Sequence, residues 1–217
     1  VTSIGTAAFD GCTNLQSITL PFVGTAINSG YAHFGWIFGA SSYSSNDAYV
    51  PASLKTVVVT GGSSISNNAF RDCGNIVSIE IPSSVISIGD SAFSGCTNLQ
   101  NVTFAEGSLL QSIGNHAFYD CASLASIEIP SSVTSIGDYA FYGCAGLESV
   151  TFAEGSLLQS IGNYAFYKCK SLASIEIPSS VISIGESAFS VCANLASIEI
   201  PSSVTSIGGS AFWECFN

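Results

Sequence analysis

A phenylalanine preceded by alanine returns at Phe9, Phe70, Phe93, Phe118, Phe141, Phe166, Phe189 and Phe212. The intervals between them are 61, 23, 25, 23, 25, 23 and 23 residues. Three residues after each stands a cysteine, and Cys12, Cys73, Cys96, Cys121, Cys144, Cys169, Cys192 and Cys215 account for every cysteine in the chain. A unit this short cannot bury its apolar face alone. Each copy must stack on its neighbours, which makes the chain a solenoid.

Residues 121–143, CASLASIEIPSSVTSIGDYAFYG, show the logic of one unit. Leu124, Ile127 and Ile129 follow an L-x-x-I-x-I pattern, a short strand whose alternate residues point inward. Pro130 ends that strand because it has no N–H for the ladder. Val133 and Ile136 cross the next side of the coil, and Gly137 permits a turn. Asp138 is placed to cap a single helical turn that carries Ala140 and Phe141 inward. The expected inward set per turn is the equivalents of Leu124, Ile127, Ile129, Val133, Ile136, Ala140, Phe141 and Cys144. Two units carry a longer version, TFAEGSLLQSIG, at 103–114 and 151–162, which produces the 25-residue intervals. It reads as a two-residue bulge on every second turn, with Glu106 and Glu154 on the same side.

The pattern L-x-x-I-x-I-P…V-x-x-I-G-x-x-A-F-x-x-C resembles the BspA-like class of leucine-rich repeats over nearly the whole chain. That resemblance implies a right-handed coil of about eight turns, with a parallel β-sheet on one face and short helical turns or loops on the other. It also implies an extracellular or cell-surface protein of bacteria or parasites, of a kind some of whose members adhere to host or matrix proteins. Residues 1–217 are expected to form one leucine-rich-repeat domain. Val1 begins in mid-pattern and neither end shows a capping segment, so the chain is read as a fragment of a longer protein, with end-to-end association possible between monomers.

Charged residues make up only 9% of the chain, and Ser, Thr, Asn and Gly must cover most of its surface. No apolar run approaches the ~18 residues of a spanning helix, so no membrane insertion is expected. Fifteen acidic residues against four basic ones, Lys55, Arg71, Lys168 and Lys170, give a net charge of -11. A polyanion would be repelled, which argues against nucleic acid and anionic lipid as partners.

The cysteines are about one turn apart and lack the close pairing of a zinc site. Stacked at ~4.8 Å, they are awkward for the ~3.8 Å Cβ separation of a disulfide. Buried free thiols are the favoured reading, with some bridging or a metal as alternatives. His116 shares its place in the repeat with Ser91, Tyr139, Tyr164, Ser187 and Ser210, which reads as a solvated outer position. No nucleophile is assigned to His33. The chain is therefore read as a non-enzyme without cofactor or metal.

Two regions are candidates for binding. The outward residue of each strand is Thr19, Val58, Glu80, Thr103, Glu128, Thr151, Glu176 and Glu199 in turn, beside an outer column of Ser, Thr and Asn. Glutamates on alternate turns lie ~10 Å apart, too far to chelate one calcium together; only Glu176 and Glu199 are neighbours. The ribbon is either a solvated face or a surface for a basic partner. The second region is an enlarged irregular turn at 22–50, which has lost the Ala-Phe-x-x-Cys unit. It holds Phe22, Tyr31, Phe34, Trp36, Phe38, Tyr43 and Tyr49. These rings either form a satellite core, with Ile37 and Phe38 replacing the missing anchor, or stay partly exposed as partner anchors.

The expected contact set is Tyr31, His33, Trp36, Phe38, Tyr43, Glu80, Thr103, Glu128, Thr151, Glu176 and Glu199. The expected function is a protein-binding or adhesion-type surface module. A structural spacer and a carbohydrate-binding module using Trp36 and Tyr43 are the alternatives, so a cell-surface glycan stands beside a host or matrix protein as partner.

Overall fold

A computed structural model describes residues 1–26 and 33–215; Tyr31 lies outside them. The chain winds as a parallel β-solenoid. One face carries the strands Ser17–Leu20, Thr56–Val59, Ser78–Ile81, Asn101–Phe104, Ser126–Ile129, Ser149–Phe152, Ser174–Glu176 and Ser197–Glu199, in two four-stranded parallel sheets. A second face carries seven two-residue strands, from Ser64–Ile65 to Ser206–Ile207, in one parallel sheet. The expected eight turns become eight strands joined by seven turns, and helices are few. Ser17 pairs with Thr56 and Leu20 with Val59, so a single enlarged turn connects these two strands.

The inward set expected from the repeat is buried. Leu124, Ile129, Val133, Ala140, Phe141 and Cys144 expose nothing, and Ile127 and Ile136 almost nothing. The phenylalanines stack face to face along the coil. From Phe70 to Phe212, successive ring centroids are 5.0–5.5 Å apart and within 7° of parallel. The irregular turn continues this spine. Phe9 meets Phe38 at 6.0 Å, Phe38 meets Phe34 at 5.4 Å, and Phe34 meets Phe70 at 4.9 Å. Ile37 and Phe38 do stand in for the missing Ala-Phe, and Phe9 N–H donates to the Ile37 carbonyl at 2.8 Å.

The cysteines form a second file with its own bonding. The Cys96 thiol donates to the Phe70 carbonyl of the preceding turn at 3.0 Å. Cys121, Cys144, Cys169, Cys192 and Cys215 repeat that bond at 3.1–3.2 Å. Burial pushes these thiols above their ordinary range, Cys192 to about 12. All eight cysteines are free, and Cys12 departs from the inward rule by lying exposed. The irregular turn, which has no cysteine, separates it from the file.

Two local expectations need correction. Gly137 does open a turn, its carbonyl accepting from the Ala140 N–H at 3.4 Å, but the turn is not what demands glycine. A Cβ there would lie 2.7 Å from the backbone of Gly114 and Asn115, so glycine is required because one coil presses on the next. The same holds at Gly114, Gly162, Gly185 and Gly208. Asp138 caps no helix: its carboxylate accepts from the Asn163 N–H of the following turn at 2.7 Å. Asp90, Asn115 and Asn163 form equivalent inter-turn bonds at 2.8 Å. The Ala-Phe segment is a plain turn with two left-handed positions per copy, one two residues before the Phe and one two residues after. His116, Tyr139 and Tyr164 occupy the first; Asp120, Lys168 and Val191 occupy the second, alternating with Gly95 and Gly143.

Candidate functional site

The strand face is built by register. In-register pairing sets Val58 beside Glu80, Glu80 beside Thr103, Glu128 beside Thr151, and Glu176 beside Glu199. All of these except half-buried Val58 are exposed. Glu176 and Glu199 are direct cross-strand neighbours of like charge, an arrangement that disfavours pairing unless something positive lies between them.

The face is not continuous. Where a short turn precedes a long one, pairing covers four residues, as between Ser78–Ile81 and Asn101–Phe104 and between Ser126–Ile129 and Ser149–Phe152. Where a long turn precedes a short one, the strands part. Asn101–Phe104 and Ser126–Ile129 belong to different sheets, and Ser149–Phe152 pairs with the next strand only at Ser149 and Val150.

The sequence explains why. After each short turn, the N–H of Ala105 or Ala153 reaches back to the carbonyl of Ile81 or Ile129 at 3.0 Å. After each long turn the equivalent residue is Pro130 or Pro178, which has no N–H to give. Pro82 and Pro201 also lack it, yet three residues still pair beside them, so the parting needs the two-residue bulge as well. The strand-end position held by Ile81, Ile129 and Ile177 is also filled by the bulkier Phe104 and Phe152, both only half-buried.

Each parting is a trough. The first, about 560 Å³, is lined by Thr103, Phe104, the bulge residues Ala105 to Ser108, and Glu128, Pro130 and Ser131 of the next turn. The second, about 420 Å³, is lined by Thr151, Phe152, Ala153, Gly155, Ser156, Glu176, Pro178 and Ser179. Ala153 lines both, so they abut. Each has an aromatic edge, hydroxyls and a carboxylate, and none of the four cations lines either one. Glu106 adds a second carboxylate to the first trough. Of the expected strand-face contacts, Thr103, Glu128, Thr151 and Glu176 come together here; Glu80 and Glu199 lie outside.

The irregular turn places its candidates differently. Phe38 is enclosed in the spine and offers a partner nothing. His33 is buried as well: its Nδ1 lies 3.1 Å from Asn46 Oδ1, which also accepts from Gly35 N–H at 3.0 Å. Asn46 Nδ2 donates to the Arg71 carbonyl at 2.9 Å, which fixes the amide's orientation. Nδ1 therefore carries the proton, and burial holds the His33 pKa below its usual range. Trp36 is half-buried, with its ring edge-on to His33. Tyr43 is exposed but has the Arg71 guanidinium 5.7 Å from its ring centre.

Sequence reasoning missed one surface. His116, Tyr139 and Tyr164 stack at 4.8 and 4.9 Å, and Tyr119, Tyr142 and Tyr167 stack at 4.8 and 5.0 Å. Lys168 Nζ lies 5.3 Å from the Tyr167 ring centre and 5.7 Å from that of Tyr142. His116 is half-buried rather than freely solvated. The first column was read only as a solvated position; reading Tyr119, Tyr142 and Tyr167 beside it would have exposed the two aromatic files.

The sequence profile of the BspA type Leucine rich repeat region matches in six copies, over residues 1–34, 63–158 and 111–217. The chain belongs to this family. Leucine-rich repeats of the BspA type are thus confirmed by sequence as well as by the coil. The irregular turn overlaps the unmatched stretch between 34 and 63 in its second half. The chain is similar to the crystal structure of a T. pallidum Leucine Rich Repeat protein, at 34% identity and a TM-score of 0.65, over 70% of this chain and 72% of that one. It is also similar to a leucine rich cell surface protein from Faecalibacterium prausnitzii, at 36% identity and a TM-score of 0.67. That match covers 74% of this chain but only 45% of the other. No curated protein matches significantly. Among the described residues, no helix is long and apolar enough to cross a membrane.

Proposed function

We propose that this BspA-type repeat is a non-catalytic, protein-binding module displayed outside the cell, which takes a cationic partner along its strand face. The observation that carries this reading is the pair of abutting troughs, acidic and free of cations. The surface location draws on the F. prausnitzii relative, which is described as a cell surface protein. The irregular turn supports a glycan-binding reading less well, because Tyr43 already carries a guanidinium and Trp36 is half-buried.

Fluorescence anisotropy with labelled poly-L-lysine tests the reading. The triple variant Glu106→Gln, Glu128→Gln, Glu176→Gln should weaken binding strongly. A control that removes the same charge elsewhere, Asp10→Asn, Asp47→Asn, Glu148→Gln, should weaken it only slightly. Equal losses would reduce the effect to net charge and overturn the reading in favour of a spacer.

A further inference from the structure

The troughs are copies of each other. Thr103, Phe104, Glu128, Pro130 and Ser131 of the first correspond, two turns on, to Thr151, Phe152, Glu176, Pro178 and Ser179 of the second. The intervening turns advance by 5.1 Å each, measured on the rings of Phe118, Phe141 and Phe166. Two such steps put equivalent points about 10 Å apart along the coil axis.

We infer that the two troughs are paired subsites for one polypeptide in the polyproline II conformation, presenting a Lys or Arg at every third residue. This rests on the strand-face reading above and names the partner's chemistry. Three residues of polyproline II span about 9.3 Å and complete one turn, so every third side chain returns to the same face. Its rise therefore matches the trough spacing and its period delivers both cations inward. A β-strand fails on the second count, since residues three apart point to opposite faces. An α-helix rises only about 1.5 Å per residue, so it would need a spacing of about seven residues.

The trough walls favour the same occupant. Pro130 and Pro178 offer no N–H to an added strand, whereas polyproline II needs no backbone partner and docks on aromatic-edged grooves. Phe104 and Phe152 supply those edges, and Glu128 and Glu176 the counter-charges. The abutment at Ala153 lets one chain run through both without leaving the surface.

The test uses proline-rich peptides of identical length and composition, with two lysines separated by two, three or four positions, and a one-lysine peptide. Titration calorimetry at low salt should show the three-residue spacing binding about ten-fold tighter than the others, the gain expected when a second contact becomes intramolecular. Glu128→Gln and Glu176→Gln should each abolish that preference, while Glu80→Gln, outside both troughs, should leave it intact. All three are exposed residues, so folding is not at stake. If every spacing binds alike, or Glu80→Gln erases the preference equally, the paired-subsite inference falls and the strand-face reading stands. If no cationic peptide binds, both fall.

Discussion

From Phe93 to Phe189 each ring is held by the copies on either side of it, whereas Phe34 and Phe38 are held beside a polar node that occurs once among the described residues. The two arrangements reach the same burial. The regular turns do it by translation: every stack, thiol bond and Asx bond is repeated a turn later at nearly the same distance. The irregular turn uses Asn46 to tie His33, Gly35 and Arg71 together through three bonds. Repetition distributes the cost of a defect over many contacts, while the node concentrates it in one side chain.

The sharpest way to break this comparison is to remove a ring from the repeated spine. Phe141→Ala should cost about 3–5 kcal/mol, the usual penalty for deleting a buried aromatic, because close neighbours on both sides cannot collapse into the space. Urea denaturation measures it. A loss below about 0.5 kcal/mol, within the range of an ordinary surface change, would show that the spine is not a load shared between turns.

Asn46→Ala probes the other half. It leaves the Gly35 N–H, His33 Nδ1–H and Arg71 carbonyl without their partner, each worth about 1–3 kcal/mol when buried and unsatisfied. Hydrogen exchange should show the amides around residues 33–50 losing protection while those of residues 87–184 keep theirs. Equal loss everywhere would make the irregular turn a cooperative part of the repeat and end the distinction.

Acid and alkali should separate the two regions as well. His33 has a folded pKa below its ordinary 6.5, so the unfolded chain takes up the proton first. Its contribution is present above about pH 6.5 and is lost as the pH falls, in the irregular turn alone. The buried thiols have folded pKa values raised above 9.0, so the unfolded chain loses those protons first. Their contribution is present below pH 9.0 and is lost as the pH rises toward about 12, the value of Cys192. Several thiols act together, so the alkaline loss of melting temperature should be the larger of the two. Replacing Cys121, Cys144 and Cys169 with Ala should flatten the alkaline limb and leave the acid one unchanged.

The repeat made the coil legible because the same eight inward positions are written in nearly every copy, and a single unit at 121–143 predicts their burial. The troughs were half legible. The 25-residue intervals announced the bulges, and Glu128 and Glu176 stood out on the strand face. What the intervals do not say is that Pro130 and Pro178 follow the bulged turns, where the bulge and the missing N–H together leave a gap that Pro82 and Pro201 alone do not open. The irregular turn was legible only as a concentration of rings: Asn46, which organises it, is one polar residue in a polar stretch. At Gly137 the turn was legible but the close approach of the neighbouring coil was not, because a glycine needed for one looks the same in sequence as a glycine needed for the other.

The smallest expected effect falls inside the regular turns, where repetition itself imposes a strain. The position two residues after each Phe is left-handed in every copy, glycine at 11, 95 and 143 but Val191 at φ 61°. A β-branched side chain in that region is a backbone outlier, and the left-handed conformation costs an L-residue roughly 1–2 kcal/mol. Val191→Gly should recover part of this, a gain of about 1 kcal/mol after the greater chain entropy of glycine is deducted. The reverse change, Gly143→Val, should be destabilising by more, since a Cβ there also runs into the Asp120 carboxylate. A stabilised Val191→Gly beside a damaged Gly143→Val would show that the coil dictates the backbone at this position whatever side chain it is given. If Val191→Gly instead melts lower, the valine's contacts outweigh its strain, and the regular turns are held more by individual side chains than by the winding they share.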